Sequence, residues 1–131
     1  MTVRVHHLAV VVADLGRAER FYAGVLGLRV IRRWDDDAGA PRSIWLELGD
    51  AFLAVEKAGA PGPLRADAAP GWHCVALAIP RDARAEWLER LAAMGVAVER
   101  QSDHTLYVRD PDGNLVGLSH WPEPCAPAPS S

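Results

Sequence analysis

Five tryptophans, five histidines and two cysteines hold most of the chemistry open to this chain. Flat indole rings stack on planar or heteroaromatic compounds and lose little entropy when ordered. Imidazoles and thiols act as proton carriers, nucleophiles or metal ligands, according to what stands beside them. Several common chemistries are missing. There is no Gly-rich phosphate loop, no Gly-x-Ser-x-Gly elbow and no Cys-x-x-Cys pair. His104 and His120 flank strand-like runs without partners that would complete a triad. Cys74 sits in a strand-like run and Cys125 in a Pro-rich tail, so they make no disulfide framework and imply a reducing compartment.

The elements that must position these residues follow from periodicity. Val5–Val12 is a β-branched run and reads as a buried strand. Asp14 follows as a helix N-cap, and Leu15, Ala18, Phe21, Tyr22 and Val25 recur at helical spacing before Gly27. A second strand is expected over Leu28–Ile31 and a polar loop over Asp35–Pro41. Strands over Ser43–Leu48 and Phe52–Glu56 then flank Gly49-Asp50. Residues 58–71 are rich in Ala, Gly and Pro without periodicity and read as a linker. The pattern then restarts: a strand over His73–Ile79, a helix over Arg81–Met94 stopped by Gly95, and a short strand over Val96–Val98. Last come strands over Thr105–Arg109 and Leu115–Leu118, joined by the turn sequence Asp110-Pro111-Asp112-Gly113-Asn114. The helix is expected to bury Trp87, Leu88, Leu91 and Met94.

The order β-α-β-β-β therefore occurs twice, and the two copies also match residue for residue. His6-His7-Leu8-Ala9-Val10 aligns with His73-Cys74-Val75-Ala76-Leu77, and Phe52-Leu53-Ala54-Val55 with Leu115-Val116-Gly117-Leu118. One such unit cannot bury its sheet alone. The fold class read here is α+β: two βαβββ modules forming a curled mixed sheet around a cavity, helices outside. The expected boundaries are residues 1–57 and 72–121 for the modules, 58–71 for the linker and 122–131 for a flexible tail, all within one domain.

Strand parity sorts the side chains, because alternate residues point to opposite faces. Leu8, Val10, Val12, Val75, Leu77 and Ile79 suit the helix side, which leaves His7, Ala9 and Val11 facing inward with Cys74, Ala76 and Ala78. A register shifted by one would bring His73 inward instead and invert that core. Glu47 shares a face with Trp45, Glu56 shares the parity of Ala54, and Thr105, Tyr107 and Arg109 share a face. A pocket of His7, Trp45, Glu47, Glu56, Cys74 and Tyr107 would be amphipathic, fit for a ring system with a few polar handles. Trp34, in the loop before its strand, together with Trp72 and Trp121, is placed near the cavity mouth.

Composition narrows the partners. The net charge is −3, and the fourteen basic residues, thirteen Arg and Lys57, are scattered among acids. That excludes the clustered cationic surface nucleic acids or anionic membranes need. The longest apolar stretch, Leu8–Ala13, is far short of a membrane span, and no signal-peptide pattern opens the chain. A cytoplasmic location is expected.

The stretch His7-Leu8-Ala9-Val10-Val11-Val12-Ala13-Asp14-Leu15, with Phe21-Tyr22 and Val25-Leu26-Gly27-Leu28, resembles the opening of vicinal-oxygen-chelate proteins, the glyoxalase/bleomycin-resistance/dioxygenase superfamily. Asp110-Pro111-Asp112-Gly113-Asn114-Leu115-Val116 resembles that family's closing hairpin. The resemblance implies paired βαβββ modules and frequent homodimers. It also implies functions from metal-dependent isomerisation or dioxygenation to sequestration of antibiotics. Metal-using members place ligands on the first and last strand of each module, a set suited to Zn, Ni, Mn or Fe(II). Carried over one by one, those places fall on His7, Ala54, Cys74 and Gly117, of which only His7 is a standard ligand. Two readings stay open at this point. One is a small-molecule binder for an aromatic or heteroaromatic compound without a full metal site. The other is a metal-dependent lyase, isomerase or dioxygenase using His7 with Glu56 and Cys74, or His73 if the register shifts. Glyoxalase activity itself is not expected, since a carboxylate is missing at both Ala54 and Gly117.

Overall fold

The computed structural model describes residues 1–125 and divides them into two compact units, with the boundary between Pro63 and Leu64. That boundary falls inside the expected linker. The first unit holds β1 (His7–Val12), α1 (Leu15–Glu19), β2 (Val30–Asp35), β3 (Pro41–Leu48) and β4 (Ala51–Lys57). The second holds β5 (Cys74–Ala78), α2 (Arg84–Ala93), β6 (Arg100–Gln101), β7 (Thr105–Arg109) and β8 (Leu115–Ser119). The paired βαβββ modules are thus present, each a four-stranded mixed sheet. Strand order is β1-β4-β3-β2 in one and β5-β8-β7-β6 in the other, with a parallel first pair and antiparallel pairs thereafter.

In the first unit α1 starts where expected. The Asp14 side chain accepts from the Arg17 amide at 2.8 Å, satisfying an amide that the first turn leaves free. From Arg20 to Val25 the helix widens into π-type turns, with the Leu26 amide donating to the Phe21 carbonyl five residues back at 2.9 Å. The wider turn lets Phe21, Tyr22, Val25 and Leu26 all be buried. Against them lie the even-numbered residues of β3 and the odd-numbered ones of β4, including Leu46 and Val55, both fully buried. Arg33 of β2 reaches the same side and forks onto Glu19, at 2.6 and 3.0 Å. That hydrogen bond holds the Glu19 carboxyl below its ordinary range.

The second unit repeats the plan. Leu91 of α2 is fully buried, as are Leu106, Val108, Val116 and Leu118. His120 belongs to this side too. It is 5% exposed, and its Nε2 lies 2.9 Å from Nη1 of Arg84 on α2. A guanidinium only donates, so Nε2 accepts and the ring hydrogen sits on Nδ1, which donates to the Glu123 carbonyl. Asp67 and Glu99 both accept from Arg109, at 2.8 and 2.7 Å, fastening part of the linker onto this unit. The Arg109 hydrogen bond pulls the Asp67 carboxyl below its usual value.

Several element boundaries differ from those read in the sequence, and the larger shifts have physical reasons. The second strand begins at Val30 because the Leu28 amide still closes the preceding helix, donating to the Tyr22 carbonyl at 3.0 Å around Gly27 at φ 78°. It runs on to Asp35, so the loop shrinks to 36–40, where the Asp36 carboxylate accepts from the Ala38 and Ala40 amides. The strand expected over Val96–Val98 lies at Arg100–Gln101 instead, since the Val96 amide is spent on the Leu91 carbonyl in ending α2. Met94 falls past the end of α2 and is 47% exposed rather than core. Of the expected tail, the Cys125 amide is fastened to the Asp103 carbonyl at 2.7 Å; 126–131 lie outside the described residues.

Candidate ligand-binding site

The face of each sheet away from its helix is where the candidate residues collect. In the first unit the register lays them out in three rows across the strands. His7, Phe52 and Glu47 form one row; Ala9, Ala54, Trp45 and Arg32 the next; Val11, Glu56, Ser43 and Trp34 the third. Aromatic rings run diagonally through this lattice. His7 stacks on Phe52 with centroids 4.7 Å apart and planes at 7°, and Phe52 stacks on Trp45 at 4.3 Å. Trp45 meets Trp34 edge-on at 5.3 Å, and the Arg32 guanidinium lies 4.0 Å over the Trp34 ring. Four strands therefore contribute one continuous aromatic band. Beside it, Ala9, Ala54 and Val11 form a floor of small side chains.

The polar groups on this face differ in their commitments. Glu47 is ion-paired with Arg29. Glu56 makes no hydrogen bond or ion pair among the described residues. The Ser43 hydroxyl, directly across from Glu56, and the indole N–H of Trp34 are buried without a hydrogen-bond partner. His7 is exposed at the end of the band, its Nδ1 2.8 Å from Nδ1 of His6.

The second unit has the same lattice with different occupants. Cys74 takes the place of His7, Leu115 that of Phe52, Gly117 that of Ala54, Ser119 that of Glu56 and Tyr107 that of Trp45. Arg100 lies 4.4 Å over the ring of Tyr107, its cross-strand partner, whereas Arg32 lies over Trp34 and not over its own partner Trp45. The register aligns Cys74, not His73, with Ala76 and Gly117. Gly117 is walled in: a Cβ there would stand 3.1 Å from Thr105 Cγ2 and 3.5 Å from both Ala76 Cβ and Tyr107 Cε1. Tyr107 is the one large ring on this face, and Trp72 and Trp121 are exposed, 88% and 73%.

Of the candidates, His7, Trp45, Glu47 and Glu56 share the open face of the first unit, and Cys74 and Tyr107 share that of the second. His7 and Glu56 are not brought together. His7 pairs with Phe52 and Glu56 with Val11, four residues along, which separates them by about 13 Å at ~3.3 Å per residue. Side chains standing off a sheet do not close that gap around one ion. Among the described residues no three His, Cys, Asp or Glu side chains gather as a metal-binding group. The donors on the first unit's face do not fit a resident ion.

Phe52 and Arg32 are the members of the site that sequence reading missed. Phe52 shares the parity of Ala54 and Glu56, so counting two residues back would have found it. Arg32 was hidden by ending the second strand at Ile31, which also left Trp34 in a loop.

Residues 4–118 match the Glyoxalase/Bleomycin resistance protein/Dioxygenase superfamily. The chain belongs to that superfamily. Solved structures agree on the fold. SMU.1112c is 27% identical with a TM-score of 0.78, over 92% of this chain and 100% of that one. The fosfomycin resistance protein FosX of Listeria monocytogenes, in a mutant form complexed with Mn(II) and 1S,2S-dihydroxypropylphosphonic acid, is 17% identical. Its TM-score is 0.73, over 91% of this chain and 93% of that one. A lactoylglutathione lyase of Agrobacterium tumefaciens is 24% identical with a TM-score of 0.69, over 92% and 95%. The superfamily therefore spans members with a bound divalent metal, while the fold alone fixes neither metal nor substrate here. No helix among the described residues is long and apolar enough to cross a membrane.

Proposed function

We propose that this chain is a small-molecule-binding member of the superfamily that holds an aromatic or heteroaromatic compound on the open face of its first unit, without a full metal site. The observation that carries the reading is the band His7–Phe52–Trp45–Trp34, unbroken across four strands beside a floor of alanines. Rings locked by one another are ordered before a ligand arrives, so little entropy is lost on binding, and each offset-stacked pair is worth roughly 0.5–1.5 kcal/mol beyond the area it buries. The binder is read as a homodimer, as the resemblance to the superfamily implies. Free thiols at Cys74 and Cys125 suit a cytoplasmic setting.

The test is titration of the chelator-treated protein with planar aromatic compounds, followed by tryptophan fluorescence and calorimetry. Saturable binding, weakened about tenfold or more by Trp45→Ala, supports the reading. Absence of binding across the panel defeats it. A second reading, a metal-dependent lyase, isomerase or dioxygenase built on His7, draws on the exposed imidazole of His7 and on the Mn(II) held by the FosX neighbour. Elemental analysis after dialysis against Zn, Ni, Mn and Fe(II) separates the two. Near-stoichiometric metal that disappears in His7→Ala would replace the first reading by the second.

A further inference from the structure

The aromatic band leaves one corner of the first unit's open face uncovered, and the charges around that corner are one-sided. Its floor is Ala9 and Val11, both exposed, its edge towards the band is Phe52 with Ala54 buried behind it, and its end is Glu56. Val11 is 61% exposed, which is high for an apolar strand residue flanked by a carboxylate. Of the two acids on the face, Glu47 is neutralised by Arg29, whereas Glu56 has no partner among the described residues. Across from it the Ser43 hydroxyl is buried and without a hydrogen-bond partner, a second polar group at the same end. The nearest arginine on this face, Arg32, lies flat on Trp34 on the far side of β3. With Glu47 paired to Arg29 and Arg32 set over Trp34, the charge left at this corner is that of the Glu56 carboxylate.

We infer that the compound held here is a planar aromatic cation, a protonated amine or amidine carried on a ring. The ring lies over Ala9 and Val11 beside the aromatic band, and its N–H donates to Glu56. An anion of the same shape would have to approach an unpaired carboxylate across apolar ground. This inference rests on the aromatic-binder reading above and adds the sign of the charge.

Three probes of one shape test it on the full chain: naphthylmethylamine (cation), naphthylmethanol (neutral) and naphthoate (anion), by calorimetry at low salt and neutral pH. The expected result is a cation preference of about 10-fold over the alcohol, weaker binding still for naphthoate, and loss of the preference in Glu56→Gln. Trp45→Ala should weaken the amine and the alcohol alike. Equal binding of all three probes, or an amine preference that survives Glu56→Gln, overturns the inference while leaving the binder reading in place. Tightest binding of naphthoate overturns it too. Failure of all three probes to bind brings down both readings together. Glu56 is half-buried near the end of β4 and Gln is isosteric with it, and an unchanged melting temperature confirms that the variant is folded.

Discussion

Gly117→Ala should destabilise the protein, although substituting glycine in a strand ordinarily stabilises. The added methyl would sit 3.1 Å from Thr105 Cγ2, closer than carbon atoms pack. Thr105 cannot easily turn its methyl away. It is β-branched and 7% exposed, and its hydroxyl is held 2.9 Å from the Ser119 hydroxyl, so rotation about χ1 would break that bond. Overpacking of this kind costs roughly 1–3 kcal/mol. Against it stands about 0.4–1 kcal/mol from the narrower unfolded ensemble of alanine, since the backbone at Gly117 needs no left-handed conformation. The net is a loss of about 1 kcal/mol, or roughly 3–4 °C in Tm for a chain of this size. Thr105→Ser keeps the hydroxyl and removes the methyl, so the double variant should recover most of the loss. The cycle should then show a coupling of about 1 kcal/mol in urea and thermal unfolding. A Gly117→Ala variant as stable as the parent, with no coupling to Thr105→Ser, would refute this packing account. The result bears on chemistry as well: a carboxylate ligand placed here would begin from the same crowded Cβ.

Other outcomes follow from the same geometry. Glu19, whose carboxyl is depressed by Arg33, adds stability that is present above its ordinary value of 4.5 and fades as the pH falls through the lower folded value. Arg33→Met should flatten the acid limb of Tm against pH below about 5 while changing Tm at neutral pH by well under 1 kcal/mol equivalent; an unchanged acid limb would remove the pair from the account. His120→Ala should cost roughly 1–3 kcal/mol, because it leaves a guanidinium hydrogen and a carbonyl without their buried partner. Nitrogen chemical shifts of the parent should report the hydrogen on Nδ1, and the opposite tautomer would contradict the Arg84 contact. Phe52→Ala, which removes the ring between His7 and Trp45, should weaken aromatic ligands at least as much as it lowers stability. Calorimetry and thermal unfolding on one sample compare the two effects.

The repeat made the fold legible. Two runs of small and β-branched residues, each followed by a helical period, fixed the module plan. Matching residues such as Ala54 and Gly117 proved to occupy equivalent lattice points. What sequence could not show were the places where helix termini borrow amides from the strand that follows. Leu28 and Val96 look like strand residues by type, yet their N–H groups close helices, and no periodicity reports that. The same limit shaped the site. Parity placed His7, Trp45, Glu47 and Glu56 on one face, but parity says which side a residue faces and not how far along it stands. The pairing of His7 with Phe52 and of Glu56 with Val11 separates two residues that parity alone would put together.

The duplicated lattice also argues for where binding resides. Backbone register is shared by the units, so any difference in chemistry must come from side chains at equivalent points. In the second unit the points held by Phe52, Trp45 and Glu56 carry Leu115, Tyr107 and Ser119, and Tyr107 is left as the face's single large ring. Arg100 covers that ring at 4.4 Å, whereas in the first unit Arg32 lies over Trp34 and leaves the equivalent ring, Trp45, to stack on Phe52. The three-ring continuity from His7 to Trp45 and the unpaired carboxylate of Glu56 are found only on the first unit's face among the described residues. Features that the repeat does not require are the ones to assign to function, and here they fall on the same few strands. If Tyr107→Ala weakened an aromatic ligand as much as Trp45→Ala, measured by calorimetry, that division of labour would be wrong and both faces would have to share the compound.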